Sequence, residues 1–156
     1  MSLHVAIRPG VEADLPTFFE HQSDPEAVRM VIARPRTGPA FFEHWAKVLI
    51  DPAVTHRAIL ADGALAGMIN AFDAEGHRWV GYWLGRQWWG RGVATRALGL
   101  LLAEESARPL HARAARSNVA SIRVLERNGF VLRGYGMSEE TERFPACEEA
   151  RFLLER

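Results

Sequence analysis

The stretch Gly85-Arg-Gln-Trp-Trp-Gly90-Arg-Gly92-Val-Ala-Thr95 constrains this chain more than any other part of it. Residues 79–84 before it read as extended. Residues 93–106 after it read as a helix, with leucines at 98, 100, 101 and 102 and alanines at 94, 97 and 103. A glycine-rich turn from a strand into a helix has no Cβ in the way, so backbone N–H groups and the positive helix end can face an anion. Two well-known loops of this kind fit poorly. A P-loop needs Lys followed by Ser or Thr where Arg91-Gly92 stands, which disfavours ATP hydrolysis. A dinucleotide fingerprint would need glycine or alanine at Thr95, and a parallel βαβ unit in place of the antiparallel meander read below.

The rest of the chain supplies that meander. Residues 3–8 read as a strand ending at Pro9-Gly10, and residues 11–30 as helix, interrupted and restarted at Asp24-Pro25. Residues 33–39 read as a loop. Phe41, Phe42, Trp45, Val48 and Leu49 form one apolar face of a helix ending near Asp51-Pro52. Residues 56–60 and 65–72 are expected strands around the turn-forming Asp62-Gly63, and residues 73–78 a second hairpin loop before the strand at 79–84. A strand at 110–115, a helix at 119–127 stopped by Asn128-Gly129, and strands at 130–133 and 151–154 follow. The acidic segment 138–149 between those last strands reads as a loop. The expected fold is α/β (α+β): a mixed, mostly antiparallel twisted sheet of six to seven strands flanked by helices, in one domain over residues 1–156.

Composition removes several classes of function. A chain of 156 residues that is 48% hydrophobic and 24% charged is large enough for a core without staples. Nineteen basic residues balance nineteen acidic ones, so the long-range attraction of a nucleic-acid binder is missing. Lys47 is the only lysine, a bias that a GC-rich genome explains. Cys147 stands alone, and the histidines show no metal-ligand spacing, so no disulfide and no metal site are expected. No secretory signal or membrane span is visible, which points to the cytoplasm and away from a membrane partner. Trp79, Trp83, Trp88 and Trp89 fall within eleven residues. That cluster could face the core, an acceptor or a second subunit, so a homodimer stays open.

Gln87-x-x-Gly90-Arg91-Gly92 resembles the pyrophosphate loop of the GNAT N-acetyltransferase superfamily. Asn118-Val-Ala-Ser121, continuing to Gly129-Phe130, resembles that superfamily's N-x-x-S-x-x-x-x-x-x-x-G-F segment. Gly67-Met-Ile, Gly81-Tyr82-Trp83-Leu84 and Ile7-Arg8-Pro9 look like its strands, in the right order from about residue 5 to 155. The branch it resembles is that of the ribosomal-protein N-terminal acetyltransferases and their bacterial relatives. The resemblance implies acetyl-CoA as donor. It assigns Gln87, Gly90, Arg91, Gly92, Val93, Ala94 and Thr95 to the phosphates, and the backbone of Trp83 and Leu84 to the pantetheine arm. Asn118 and Ser121 would lie near the pantetheine and the sulfur. It further implies direct attack in a ternary complex by a protein N-terminus or a small-molecule amine.

The residues themselves leave the proton chemistry open. Ser121 and Tyr135 are candidate acids, and His77, with Asp73 and Glu75 beside it, a candidate base. Asn118 also suits a helix N-cap, and Arg86 is either a phosphate contact or a solvated side chain. Glutamates 139, 140, 142, 148 and 149 could attract a cationic acceptor or simply be solvated. Two further functions remain at this level: a CoA-binding sensor without catalysis, and a nucleotide-binding protein using the same loop.

Overall fold

The structure, a computed structural model, describes residues 3–156. Its strands are β1 (Val5–Pro9), β2 (Thr55–Ala61), β3 (Ala64–Ala74), β4 (His77–Leu84), β5 (Leu110–Ala115), β6 (Val131–Met137) and β7 (Glu148–Leu154). They form one sheet in the order β1-β2-β3-β4-β5-β7-β6. Every neighbouring pair is antiparallel except β4 with β5, which is parallel. The helices are α1 (Leu15–Ser23), α2 (Pro25–Val31), α3 (Gly38–Ile50), α4 (Val93–Glu104) and α5 (Val119–Arg127). This is the mixed, mostly antiparallel α/β architecture expected from the sequence.

Local chemistry explains the boundaries. Asp62-Gly63 and Glu75-Gly76 both turn with positive φ, the two-residue hairpin geometry that matches strand twist. The second turn is therefore tighter than the loop expected over 73–78, and β3 and β4 stay paired as far as Ala74 and His77. Asp24 accepts from the Glu26 N–H at 3.0 Å while Pro25 opens α2, so the chain breaks and restarts its helix there. The last hairpin is longer than expected. Met137 pairs with Glu148, which shortens the loop to 138–147, because backbone pairing does not need the apolar alternation that marks a strand in sequence.

The sheet is covered on both faces, so residues 66–71 of β3 are buried without alternation. Ile69, Val80, Leu84, Leu98, Leu101 and Phe152 belong to the core on the α4 side. Leu15, Phe18, Phe41, Ala58 and Met68 form a second cluster on the other side. Among the described residues no helix is long and apolar enough to cross a membrane.

His56 of β2 is the most costly polar group in that second layer. Its ring lies against Phe18 and Trp45, with centroids 5.8 and 5.7 Å away, and among the described residues neither ring nitrogen has a partner. Gly10 is required beside it, since a Cβ there would sit 2.2 Å from Nδ1. Burial pushes the imidazole down to about 4, with Asp14 pulling weakly the other way. A depressed histidine makes the unfolded chain the better proton binder between pH 6.5 and 4, so stability rises with pH across that window. Burial depresses His21 and His44 in the same sense. Stability measured by urea unfolding should therefore fall as pH drops from 6.5 towards 4, by roughly 3 kcal/mol from His56 alone. The slope should flatten, without vanishing, in His56→Leu.

Candidate active site

The one parallel pair in the sheet is also its shortest. β4 and β5 are in register only at Arg78 with Leu110 and Trp79 with His111, at their N-terminal ends. Beyond that the strands part, and the facing backbone edges of residues 80–84 and 112–115 have no strand partner in each other. A sheet opened this way leaves polar backbone groups that must find another partner. The gap continues into a cleft of about 320 Å³ between the C-terminal end of β4, the start of α4 and one side of α5. Across β3, Gly67 lets the end of β4 come close, because a Cβ there would meet the Trp83 carbonyl at 2.2 Å.

At one end of the cleft lies the glycine turn. Gly90 and Gly92 hold φ of +70° and +77°, and Gly92 is the N-cap of α4, with no side chain to cap it. The first bond back into the helix comes from the Arg96 N–H to the Gly92 carbonyl, so the amides of 93–95 have no intrahelical acceptor. Arg123 and Arg127 of α5 add positive charge to the same walls, and the lining residues include no carboxylate. The combination of a helix N-terminus, arginines and an apolar wall from Ala27, Met30 and Val31 of α2 suits a ligand with phosphates at one end and a slender arm at the other. Acetyl-CoA has that shape and charge, so the residues present fit it.

At the other end stand two hydroxyls. Asn118 is buried and caps α5, accepting from the Ser121 N–H at 3.2 Å. That cap fixes the first turn and aims Ser121 into the cleft. The Ser121 Oγ lies 2.6 Å from the hydroxyl of Tyr82, which comes from β4. Burial raises the Tyr82 phenol to about 12, against a smaller lowering by its bond to Ser121.

Of the residues expected from the sequence, Trp83, Leu84, Gly90, Gly92, Val93, Ala94, Thr95, Asn118 and Ser121 line the cleft. Gln87 and Arg91 do not. Gln87 is exposed in a short 3-10 turn, and the Arg91 guanidinium stacks 5.3 Å from the Trp88 ring centroid, at the rim. Arg86 is paired with Asp24 at 3.1 Å and so ties the turn to the start of α2.

Two catalytic expectations are corrected. His77 opens β4 at the end remote from Leu84, about 23 Å along the strand, and stacks on His111 at 4.2 Å. Tyr135 is exposed on the edge strand β6, with the Arg116 guanidinium 3.8 Å from its ring centroid. Neither lines the cleft, because the sheet carries both away from it. The acidic segment is also largely answered within the fold. Glu140, Glu148 and Glu149 pair with Arg34, Arg116 and Arg151.

Sequence reasoning missed Tyr82, the α2 wall and the arginine pair 123/127. Only the last had a readable signal, an i, i+4 spacing on one face of α5. Trp83, Trp88 and Trp89 line the cleft, and Trp79 is buried. The indole N–H groups of Trp79, Trp83 and Trp89 donate to the carbonyls of Ala74, His21 and Leu84. Among the described residues no group of three or more His, Cys, Asp or Glu side chains could hold a metal ion.

A family model described as Acetyltransferase (GNAT) domain matches residues 4–131. The chain belongs to the GNAT acetyltransferases. Solved structures agree with the fold of this GNAT chain. One is the acetyltransferase of Salmonella typhimurium that modifies the N-terminal serine of the 50S subunit protein L7/L12, with a TM-score of 0.81 and 17% identity. It covers 97% of this chain and 95% of that one. Another is the aminoglycoside acetyltransferase AAC(6')-Ib in complex with coenzyme A, with a TM-score of 0.79 and 21% identity over 98% of this chain and 95% of that one. A third is the microcin C7 self-immunity acetyltransferase MccE with acetyl-CoA and AMP, with a TM-score of 0.78 and 15% identity, covering 97% and 92%. No curated protein sequence matches the chain.

The glycine turn provides a direct check on the donor end. Nothing lies within 4 Å of a Cβ built at Gly92, so Gly92→Asp adds a carboxylate without a clash. It puts like charge against the ligand's phosphates and a side chain where φ is positive. CoA affinity, measured by calorimetry, should fall at least about 100-fold, while the melting temperature drops only a few degrees.

Proposed function

We propose that this GNAT chain is one domain that moves the acetyl group of acetyl-CoA to a primary amine, a protein N-terminus or a small-molecule amine, by direct attack in a ternary complex. The carrying observation is a single cleft with a helix N-terminus at one end and the Ser121 and Tyr82 hydroxyls at the other. The structures similar to this chain include one named for a ribosomal-protein N-terminus and one named for aminoglycosides, which supports both acceptor classes equally. An intracellular donor supports work in the cytoplasm.

Bound acetyl-CoA would supply an activated thioester carbonyl. Amides of the Gly90–Thr95 turn, with Arg123 and Arg127, would hold its phosphates. The open backbone edge at Trp83 and Leu84 would orient the pantetheine arm and offer an N–H to the carbonyl oxygen as charge develops there. The Leu84 carbonyl is already held by the Trp89 indole at 3.3 Å, which keeps this end of β4 rigid. Ser121 would donate a hydrogen bond at the sulfur.

No carboxylate among the cleft-lining residues stands ready to take the amine's proton. An α-amine near 8 needs little help to lose it, whereas a lysine-like amine near 10.4 needs a strong base. This balance favours a peptide N-terminus, or another weakly basic amine, over a lysine side chain. Holding both reactants in one cleft supplies the remainder of the rate.

Incubating the protein with acetyl-CoA and a panel of N-terminal peptides and small amines, read by thiol release, tests this reading. Turnover with at least one amine is expected, and Ser121→Ala should lower kcat about tenfold or more with acetyl-CoA affinity within a few-fold of wild type. Tight binding of acetyl-CoA with no thiol released across the panel would instead indicate a sensor. Displacement of CoA by ATP would indicate a nucleotide-binding protein.

A further inference from the structure

The Tyr82–Ser121 contact joins β4 to α5 across 39 residues of sequence, and both residues line the cleft. Tyr82 lies on the α4 side of the sheet, two residues before Leu84, and its phenol ends among buried atoms. Among the described residues its hydroxyl has two acceptors, the Ser121 Oγ at 2.6 Å and the Ser121 carbonyl at 3.4 Å. The carbonyl contact is long for an O–H donor, whereas 2.6 Å is at the short end of the normal range. A buried hydroxyl proton needs an acceptor, so the arrangement that satisfies both groups has the phenol donating to Oγ. The serine then has its own proton free, and the cleft is the open side. The Asn118 carbonyl oxygen is already engaged by the Ser121 N–H and fixes the serine's backbone.

Resting on the acetyltransferase reading above, we propose that Tyr82 is a positioning residue for this reaction: its hydroxyl donates to Ser121 Oγ and aims the serine's proton at the leaving sulfur. Tyr82 stays an O–H donor throughout the working pH range, since burial keeps its phenol from ionising. Donation into Oγ polarises the serine and strengthens the hydrogen bond that Ser121 gives in turn. As the carbon–sulfur bond breaks, the electron pair stays with sulfur and Ser121 stabilises it. The proton released by the attacking nitrogen balances the one the thiol gains, and Tyr82 keeps its own. The phenylalanine isostere isolates this role, because it removes one oxygen and leaves the packing of the ring.

A double-mutant cycle with the best amine found in the thiol-release panel decides the matter. Rates are read at a temperature at which every variant is folded by circular dichroism. Tyr82→Phe should lower kcat about tenfold, with the acetyl-CoA dissociation constant unchanged. Tyr82→Phe/Ser121→Ala should be no slower than Ser121→Ala alone, since with the serine gone the phenol has nothing to aim. A merely structural role would add its loss to that of Ser121→Ala, so a further tenfold drop in the double variant overturns the proposal. So does a wild-type rate in either Tyr82→Phe or Ser121→Ala. Failure of the wild type to bind acetyl-CoA or release thiol is a separate result. It overturns the acetyltransferase reading and this proposal with it.

Discussion

The parting of β4 from β5 is the constraint on which the molecule turns. Two paired residues at the start of each strand join the meander to the C-terminal part of the sheet, and everything beyond them is held open. An open sheet is costly, since backbone donors and acceptors lose partners that water or a ligand must replace. The structure tolerates it because the two sides are anchored separately. β4 is paired along its whole length with β3, and β5 with β7. One core cluster buries Val80 and Leu84 on one side of the gap and Ala112 and Phe152 on the other.

Electrostatics follow from that geometry. The protein has no net charge, yet the cleft is positive, because its charge comes from a helix terminus and from arginines whose own helix faces it. Acidic side chains are used elsewhere: Glu140 ties its loop to Arg34, Glu148 of β7 pairs with Arg116 just beyond β5, and Glu149 pairs with Arg151 within β7. Asp14 shows the same economy: held low by its bond to Arg8, it fixes the entry to α1. An anionic ligand therefore meets a local field, not a basic surface. A field of short range suits a small anionic cofactor.

The Tyr82 and Ser121 hydroxyls, and no carboxylate or histidine, are among the side chains lining the cleft. His77 sits at the closed end of β4, where the strands are still paired, and stacks on His111. Tyr135 stands on the outer edge strand. Tyr82 is sequestered at the open end and meets Ser121 there. The three differ in which end of which strand they occupy, a matter of topology.

Short-range features were legible in the sequence. The glycine turn between strand and helix, the Asp62-Gly63 hairpin, the restart at Asp24-Pro25 and the Asn118 cap each depend on φ values or hydrogen bonds spanning a few residues. The order of those landmarks was enough to indicate the family and the wall of the cleft formed by residues 83–95. The α2 wall, the arginine pair at the mouth and the Tyr82–Ser121 contact were decided only by the tertiary structure. So was the exclusion of His77, Tyr135 and Gln87 from the cleft. These depend on how far β4 and β5 stay paired and on where a segment more than 50 residues upstream of the glycine turn comes to rest. Local periodicity carries no information about such distances, because a contact between remote residues is set by packing of whole elements, not by the identity of their neighbours in sequence.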